Sequence, residues 1–152
     1  TITTTKLING KRKQVVESRI PNLFFAYGTE DEIKTFVYDN VNLPFLRFYY
    51  RYFSMNSKKE KTPMIIPERQ MDSLKIICEA EAEDILIASD KEVRTKFEEG
   101  QMVRIAEGKF KGVVGRVAKY KGQLRVGIVI EGMMTVATAY VPRGFLEEIN
   151  KI

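Results

Sequence analysis

Three glycines and one phenylalanine constrain this chain more than any other feature. Between Val103 and Val117 the sequence runs Val-Arg-Ile-Ala-Glu-Gly-Lys-Phe-Lys-Gly-Val-Val-Gly-Arg-Val, with Gly108, Gly112 and Gly115 set among valine-rich runs around Phe110. Glycine adopts φ > 0 without steric cost and lets another backbone come close. The segment reads as a strand, a tight turn carrying Phe110 between Lys109 and Lys111, and a second strand. Aromatic side chains are frequent interface anchors. The turn Gly108-Lys109-Phe110-Lys111-Gly112 is therefore expected to display its ring to a partner, the alternative being a ring that plugs the end of a small barrel.

From residue 97 onward every signal is β. Gln101 to Ala106, Val113 to Tyr120, Leu124 to Ile130 and Met134 to Val141 read as strands, with turns at Lys121-Gly122 and Glu131-Gly132. Four or five short strands packed this closely imply a closed or nearly closed barrel, because an open sheet that small leaves unpaired edges. The cations Lys109, Lys111, Arg116, Lys119, Lys121 and Arg125 gather in and near the first hairpin; they read as a solvated face or as a phosphate-binding stripe.

Upstream the pattern changes. Asn9-Gly10 is a hairpin signal, flanked by the basic run Lys11-Arg12-Lys13. Leu23 to Tyr27 reads as a buried strand. Thr29-Glu30-Asp31-Glu32 has the form of a capping box, and Ile33, Phe36 and Val37 follow at helical spacing. Phe45 to Phe53 alternates as a strand with Arg47, Tyr49 and Arg51 on one face, which is either a solvated charged face or a platform for single-stranded nucleic acid. Ser54 to Thr62 reads as a polar loop and Met64-Ile65-Ile66 as a short strand. Pro67 suits the first turn of a second helix, with Met71, Leu74, Ile77 and Cys78 as its apolar stripe. The acidic stretch that follows, with Ile85-Leu86-Ile87 as a strand candidate, is expected to be an ordered connector. The organisation expected is α+β: residues 1–79, a connector at 80–97, and a barrel at 98–152.

Composition narrows the chemistry. A net charge of +5 favours an acidic partner. One cysteine and no histidine in 152 residues leave no disulfide, no His-based acid–base pair and no His/Cys metal set. No phosphate loop or nucleophile–base pair is present, so a catalytic function, a cofactor and a metal are not expected. A lone cysteine suits a reducing cytoplasmic compartment, and no apolar run approaches the roughly 20 residues that span a membrane.

Residues 98–149 resemble the KOW domain, an SH3-like barrel, whose pattern is an apolar pair and then Gly-x-Phe-x-Gly-x-x-Gly-x-Val. Val103, Ile105, Gly108, Phe110, Gly112, Gly115 and Val117 fill every position. Pro21-Asn22-Leu23-Phe24-Phe25 is similar to the Pro-(Gly/Asn)-Tyr-x-Phe strand of the NusG N-terminal domain. Leu46-Arg47-Phe48 and Pro63-Met64-Ile65-Ile66-Pro67 resemble its later strand, turn and final helix. The order of the two domains is that of the NusG family, in its UpxY/RfaH-like form.

The resemblance implies an N-terminal α/β sandwich, here lacking its first strand and helix, joined to a KOW barrel. It also implies a non-catalytic regulator of transcription elongation or antitermination. The N-terminal domain would bind the clamp helices of the RNA polymerase largest subunit through Leu23 and Phe25, with Leu23 standing where the family has tyrosine. The KOW turn would bind a small-subunit ribosomal protein or the termination factor Rho. An RNA- or ribosome-binding KOW protein acting in translation is the other expectation. An incomplete N-terminal sheet would offer an edge to a second copy, so a dimer is also considered.

Overall fold

The computed structural model describes the chain except for residues 1, 21, 81, 83, 90, 91, 93–97, 131 and 150–152. Pro21 of the NusG-like segment, Glu131 of the expected turn and much of the expected connector thus lie outside the described residues. In chain order the elements are β1 (Ile2–Ile8), β2 (Lys11–Glu17), α1 (Glu30–Tyr38), β3 (Tyr50–Met55), β4 (Lys58–Pro63), α2 (Glu68–Glu79), β5 (Leu86–Ser89) and β6 (Glu98–Ile105). Then follow β7 (Val114–Tyr120), β8 (Gln123–Ile130), β9 (Met134–Ala137), a 3-10 turn at Arg143–Phe145 and β10 (Leu146–Glu148). The fold is broadly α+β, and all its described strand pairs are antiparallel.

Two compact units emerge, residues 1–21 with 66–152, and residues 22–65. These boundaries differ from the expected 1–79, 80–97 and 98–152. The second helix and part of the expected connector are built into the unit that holds the C-terminal strands.

In that larger unit six strands form one sheet in the order β10-β6-β7-β8-β9-β5. The final strand returns to pair with β6, Leu146 opposite Ile105. The strand expected near Ile85 exists as β5, which pairs with β9, Leu86 opposite Ala137. Val103, Ile105, Val113, Val126, Ile128, Ile130 and Val136 make the core. Along β8 the consecutive residues Arg125, Val126, Gly127 and Ile128 are all buried, so both faces of that strand are covered.

Helix α2 supplies part of that cover. Pro67 is its N-cap, a place where a missing N–H costs little. Leu74 and Ile77 are buried, Met71 and Cys78 half-buried, as helical spacing predicts. Its polar residues bind sheet backbone: the Val114 N–H donates to Ser73 Oγ at 3.0 Å, and Gln70 Nε2 donates to the Val129 carbonyl at 3.1 Å. Burial pushes the Cys78 thiol pKa up, as expected for a packing residue.

Close approach within the sheet depends on glycine. A Cβ at Gly115 would lie 2.5 Å from the Gly127 carbonyl oxygen and 3.0 Å from Val126 Cγ1. Asp84, between α2 and β5, is held by a buried cation. Arg125, only 2% exposed, pairs through Nη2 with Asp84 Oδ2 at 2.7 Å, and its Nη1 donates to the Thr138 carbonyl at 3.0 Å. The β1–β2 hairpin turns at Asn9 (φ 50°) and Gly10 (φ 75°), the left-handed pair that a two-residue turn requires.

The smaller unit has the predicted capping box. The Glu32 N–H donates to Thr29 Oγ1 at 3.3 Å, and Glu32 Oε2 accepts from the Thr29 N–H at 2.9 Å. That backbone bond lowers the Glu32 pKa. Tyr38, Phe48 and Tyr50 meet edge to face, with ring centroids 5.6 and 6.2 Å apart, and the Tyr38 and Tyr50 hydroxyls lie 2.9 Å apart.

Four expectations fail here. Leu23 to Tyr27 is not a strand, because it has no ladder partner among the described residues. Ser54 to Thr62 is not a loop but most of a hairpin, turning at Asn56-Ser57, both at positive φ. Met64 to Ile66 lies beyond the end of β4, and the strand expected from Phe45 begins only at Tyr50.

Gly115→Ala is expected to destabilise the protein by about 1–3 kcal/mol, the range for forced overpacking. Gly144→Ala, whose Cβ would meet nothing within 4 Å, is expected to change stability by less than about 0.5 kcal/mol. Urea unfolding of the two variants checks the contrast.

Candidate partner-binding surfaces

The glycine–phenylalanine segment forms the β6–β7 connection. Gly112 N–H donates to the Ile105 carbonyl at 2.9 Å, and Ile105 N–H donates to the Val113 carbonyl at 2.9 Å, which closes the loop at its base. Inside it, Lys111 N–H reaches Gly108 O at 3.2 Å and Val113 N–H reaches Phe110 O at 3.1 Å. Gly108 (φ 85°) and Gly112 (φ 96°) occupy the left-handed region. A Cβ at Gly108 would also press on Phe145 Cε2 at 3.0 Å. Both glycines are thus required by conformation, and Gly108 by space as well.

Phe110 does not point where the sequence suggested. It is 5% exposed, so the expectation of a displayed ring is corrected: the ring is packed inward. The physical reason is the tight loop, whose two internal hydrogen bonds wind residues 108–113 around the ring. What the turn presents instead is Lys109, Lys111 and the backbone of Gly108 and Gly112, all exposed. An exposed aromatic in the same unit is Tyr140, at 55%. The alternation predicts a strand over Met134 to Val141 that includes it, but the strand ends at Ala137. Pro142, two residues beyond Tyr140, is the signal that could have moved that boundary.

The basic cluster is divided. Lys109, Lys111, Lys119 and Lys121 are exposed and Arg116 is half-buried. Arg125 is internal, so it is removed from any surface stripe. Its guanidinium carbon lies 5.6 Å from the Tyr120 ring centroid, and Lys121 Nζ lies 5.4 Å from the same ring.

In the smaller unit, Leu23 is half-buried, Phe25 is 36% exposed, and Phe24 and Tyr27 are 77% and 98% exposed. The segment is thus a run of accessible apolar side chains without strand alternation. Arg47, Tyr49 and Arg51 do not form one strand face. Arg47 precedes β3 and its Nη1 donates to the carbonyls of Pro44 (2.9 Å) and Leu46 (2.6 Å). Tyr49 also precedes β3, and its carbonyl accepts from Met64 N–H at 2.7 Å. Arg51 lies within β3, opposite Thr62. The register instead sets Tyr50 and Tyr52 on one face with Lys59 and Lys61, and Lys61 Nζ lies 4.3 Å from the Tyr50 ring centroid. Neither lysine stands out in the sequence, because the polar run at residues 54–62 reads as a loop.

Among the described residues no group of three or more His, Cys, Asp or Glu could hold a metal ion, and no helix is long and apolar enough to cross a membrane. Compared with known proteins, the chain matches no family model, no curated protein and no solved structure.

Phe110→Ala is expected to cost about 3–5 kcal/mol of stability, as for a core phenylalanine. A displayed ring would cost less than about 0.5 kcal/mol. Thermal or urea unfolding separates the two.

Proposed function

We propose that this chain is a non-catalytic regulator of transcription elongation or antitermination, of NusG type, acting in the cytoplasm. One surface, around Leu23 and Phe25, binds the clamp helices of the RNA polymerase largest subunit. The other, on the KOW-like unit, binds a second protein such as a small-subunit ribosomal protein or Rho.

The observation that carries the reading is the agreement between the Gly108-x-Phe110-x-Gly112-x-x-Gly115 pattern and the local geometry. Gly108 and Gly112 need positive φ, Gly115 has no room for a side chain, and Phe110 is the ring that the loop winds around. Each position of the pattern thus has a physical reason of its own. The return of β10 to β6 supports a small barrel-like unit. Accessible apolar side chains over residues 23–27 support a protein contact there, since exposed aromatics are common interface anchors. With Phe110 internal, second-partner contacts fall to Lys109, Lys111 and the exposed loop backbone.

Binding to a polymerase elongation complex, followed by fluorescence anisotropy of the labelled full chain, tests this. Leu23→Asp and Phe25→Asp are each expected to weaken binding tenfold or more, equivalent to about 1.4 kcal/mol, with circular dichroism unchanged. Undiminished affinity in both would sink the assignment of this surface. Tighter, steeply salt-dependent binding to ribosomal subunits would favour the translational reading instead.

A further inference from the structure

A second feature, independent of the polymerase reading, is the β1–β2 hairpin of the larger unit. β1 and β2 pair over their full seven residues, from Ile2 opposite Glu17 to Ile8 opposite Lys11. They form a sheet of their own, with no third strand among the described residues. Residues 5–14 are exposed without exception.

Charge on this ribbon is one-sided. Residues 1–16 contain Lys6, Lys11, Arg12 and Lys13 and no carboxylate, although the chain has 20 acidic residues. Lys6 sits directly opposite Lys13, an arrangement that like charges disfavour. Glu17 neutralises Lys6 from the base of the ribbon. Lys11, Arg12 and Lys13 have no carboxylate partner among the described residues. The register puts Lys11 and Lys13 on one face and Arg12 on the other, so the tip is cationic on both sides.

We propose that the β1–β2 ribbon is a binding arm for double-helical DNA. It extends about 20 Å at the usual rise per residue. The B-form major groove, about 12 Å wide, admits a two-stranded ribbon. A tip cationic on both faces can approach the phosphates on either wall of such a groove. The A-form RNA major groove is too deep and narrow for this entry. The ribbon lacks exposed aromatic rings, which a single-strand platform would use for stacking. The arm binds phosphates, so it contributes affinity and positioning rather than sequence choice.

The test is fluorescence anisotropy of the full chain with a labelled mixed-sequence DNA duplex of about two helical turns, over roughly 50–200 mM salt. Three phosphate contacts at the tip give a log–log salt slope of about −2.7, a loss of about 40-fold across that range. Lys11→Gln/Arg12→Gln/Lys13→Gln is expected to flatten the slope by about 2.7, to near zero, and to abolish most of the low-salt binding. Lys11→Arg/Lys13→Arg, which keeps the charge, is expected to stay within about twofold of the parent. Lys59→Gln/Lys61→Gln, on the other hairpin, is expected to do the same. No duplex binding at low salt, a triple variant that binds as well as the parent, or a preference for single-stranded DNA or duplex RNA would each overturn the proposal. An equal loss in the charge-preserving variant would overturn it as well, since shape and not charge would then be responsible.

Discussion

At Gly115 the structure has room for a hydrogen atom and nothing larger. The Gly127 carbonyl and the Val126 side chain close on that point from β8, while on the other edge Gly115 pairs with Val103 of β6. The three central strands therefore meet at a residue without a side chain. Their meeting fixes where Val103, Ile105, Val126 and Ile128 fall, and those residues are the core. Helix α2 rests on the same strands, its Ser73 and Gln70 bound to backbone groups of β7 and β8. The glycine loop that carries Phe110 begins from one of those strands and ends in another.

The two units obtain their order from different sources. The larger buries a continuous apolar core and one guanidinium. The smaller, residues 22–65, contains no buried residue. Its order comes from a capping box, a ring cluster and a two-stranded hairpin, devices worth on the order of 1 kcal/mol each and marginal alone. Its accessible aromatics are the feature that a protein partner of the proposed kind would use. A region held by such local terms is also the one that gains most from being covered.

Much of this was legible in the sequence where the signal was local. Asn9-Gly10, the Thr29 box, Lys121-Gly122 and the stripe of α2 each announce themselves within a few residues, and the structure has all four. The strands from Gln101 to Ile130 were legible by their valine-rich alternation. Direction was harder. A glycine turn fixes the path of the chain but not whether its aromatic faces in or out, and Phe110 faces in. Partnership was hardest. The polar segment at residues 58–62 has no alternation to betray a strand; its backbone pairs with β3. Arg125 stands in an alternating run as though solvated, yet Asp84, forty-one positions earlier, pairs with it. Of the candidate sites, the glycine loop was placed correctly as a loop. The Arg47-Tyr49-Arg51 face was not realised, because β3 begins after two of its three members.

Hydrogen exchange of the full chain, alone and with a polymerase elongation complex, tests the central claim most directly. In the free protein, amides of β7 and β8 should exchange slowest, and those of residues 22–65 much faster. On adding the complex, exchange over residues 23–27 should slow while the β7–β8 core is unchanged. Unaltered exchange throughout residues 22–65 under saturating complex would contradict a polymerase-facing role for that unit.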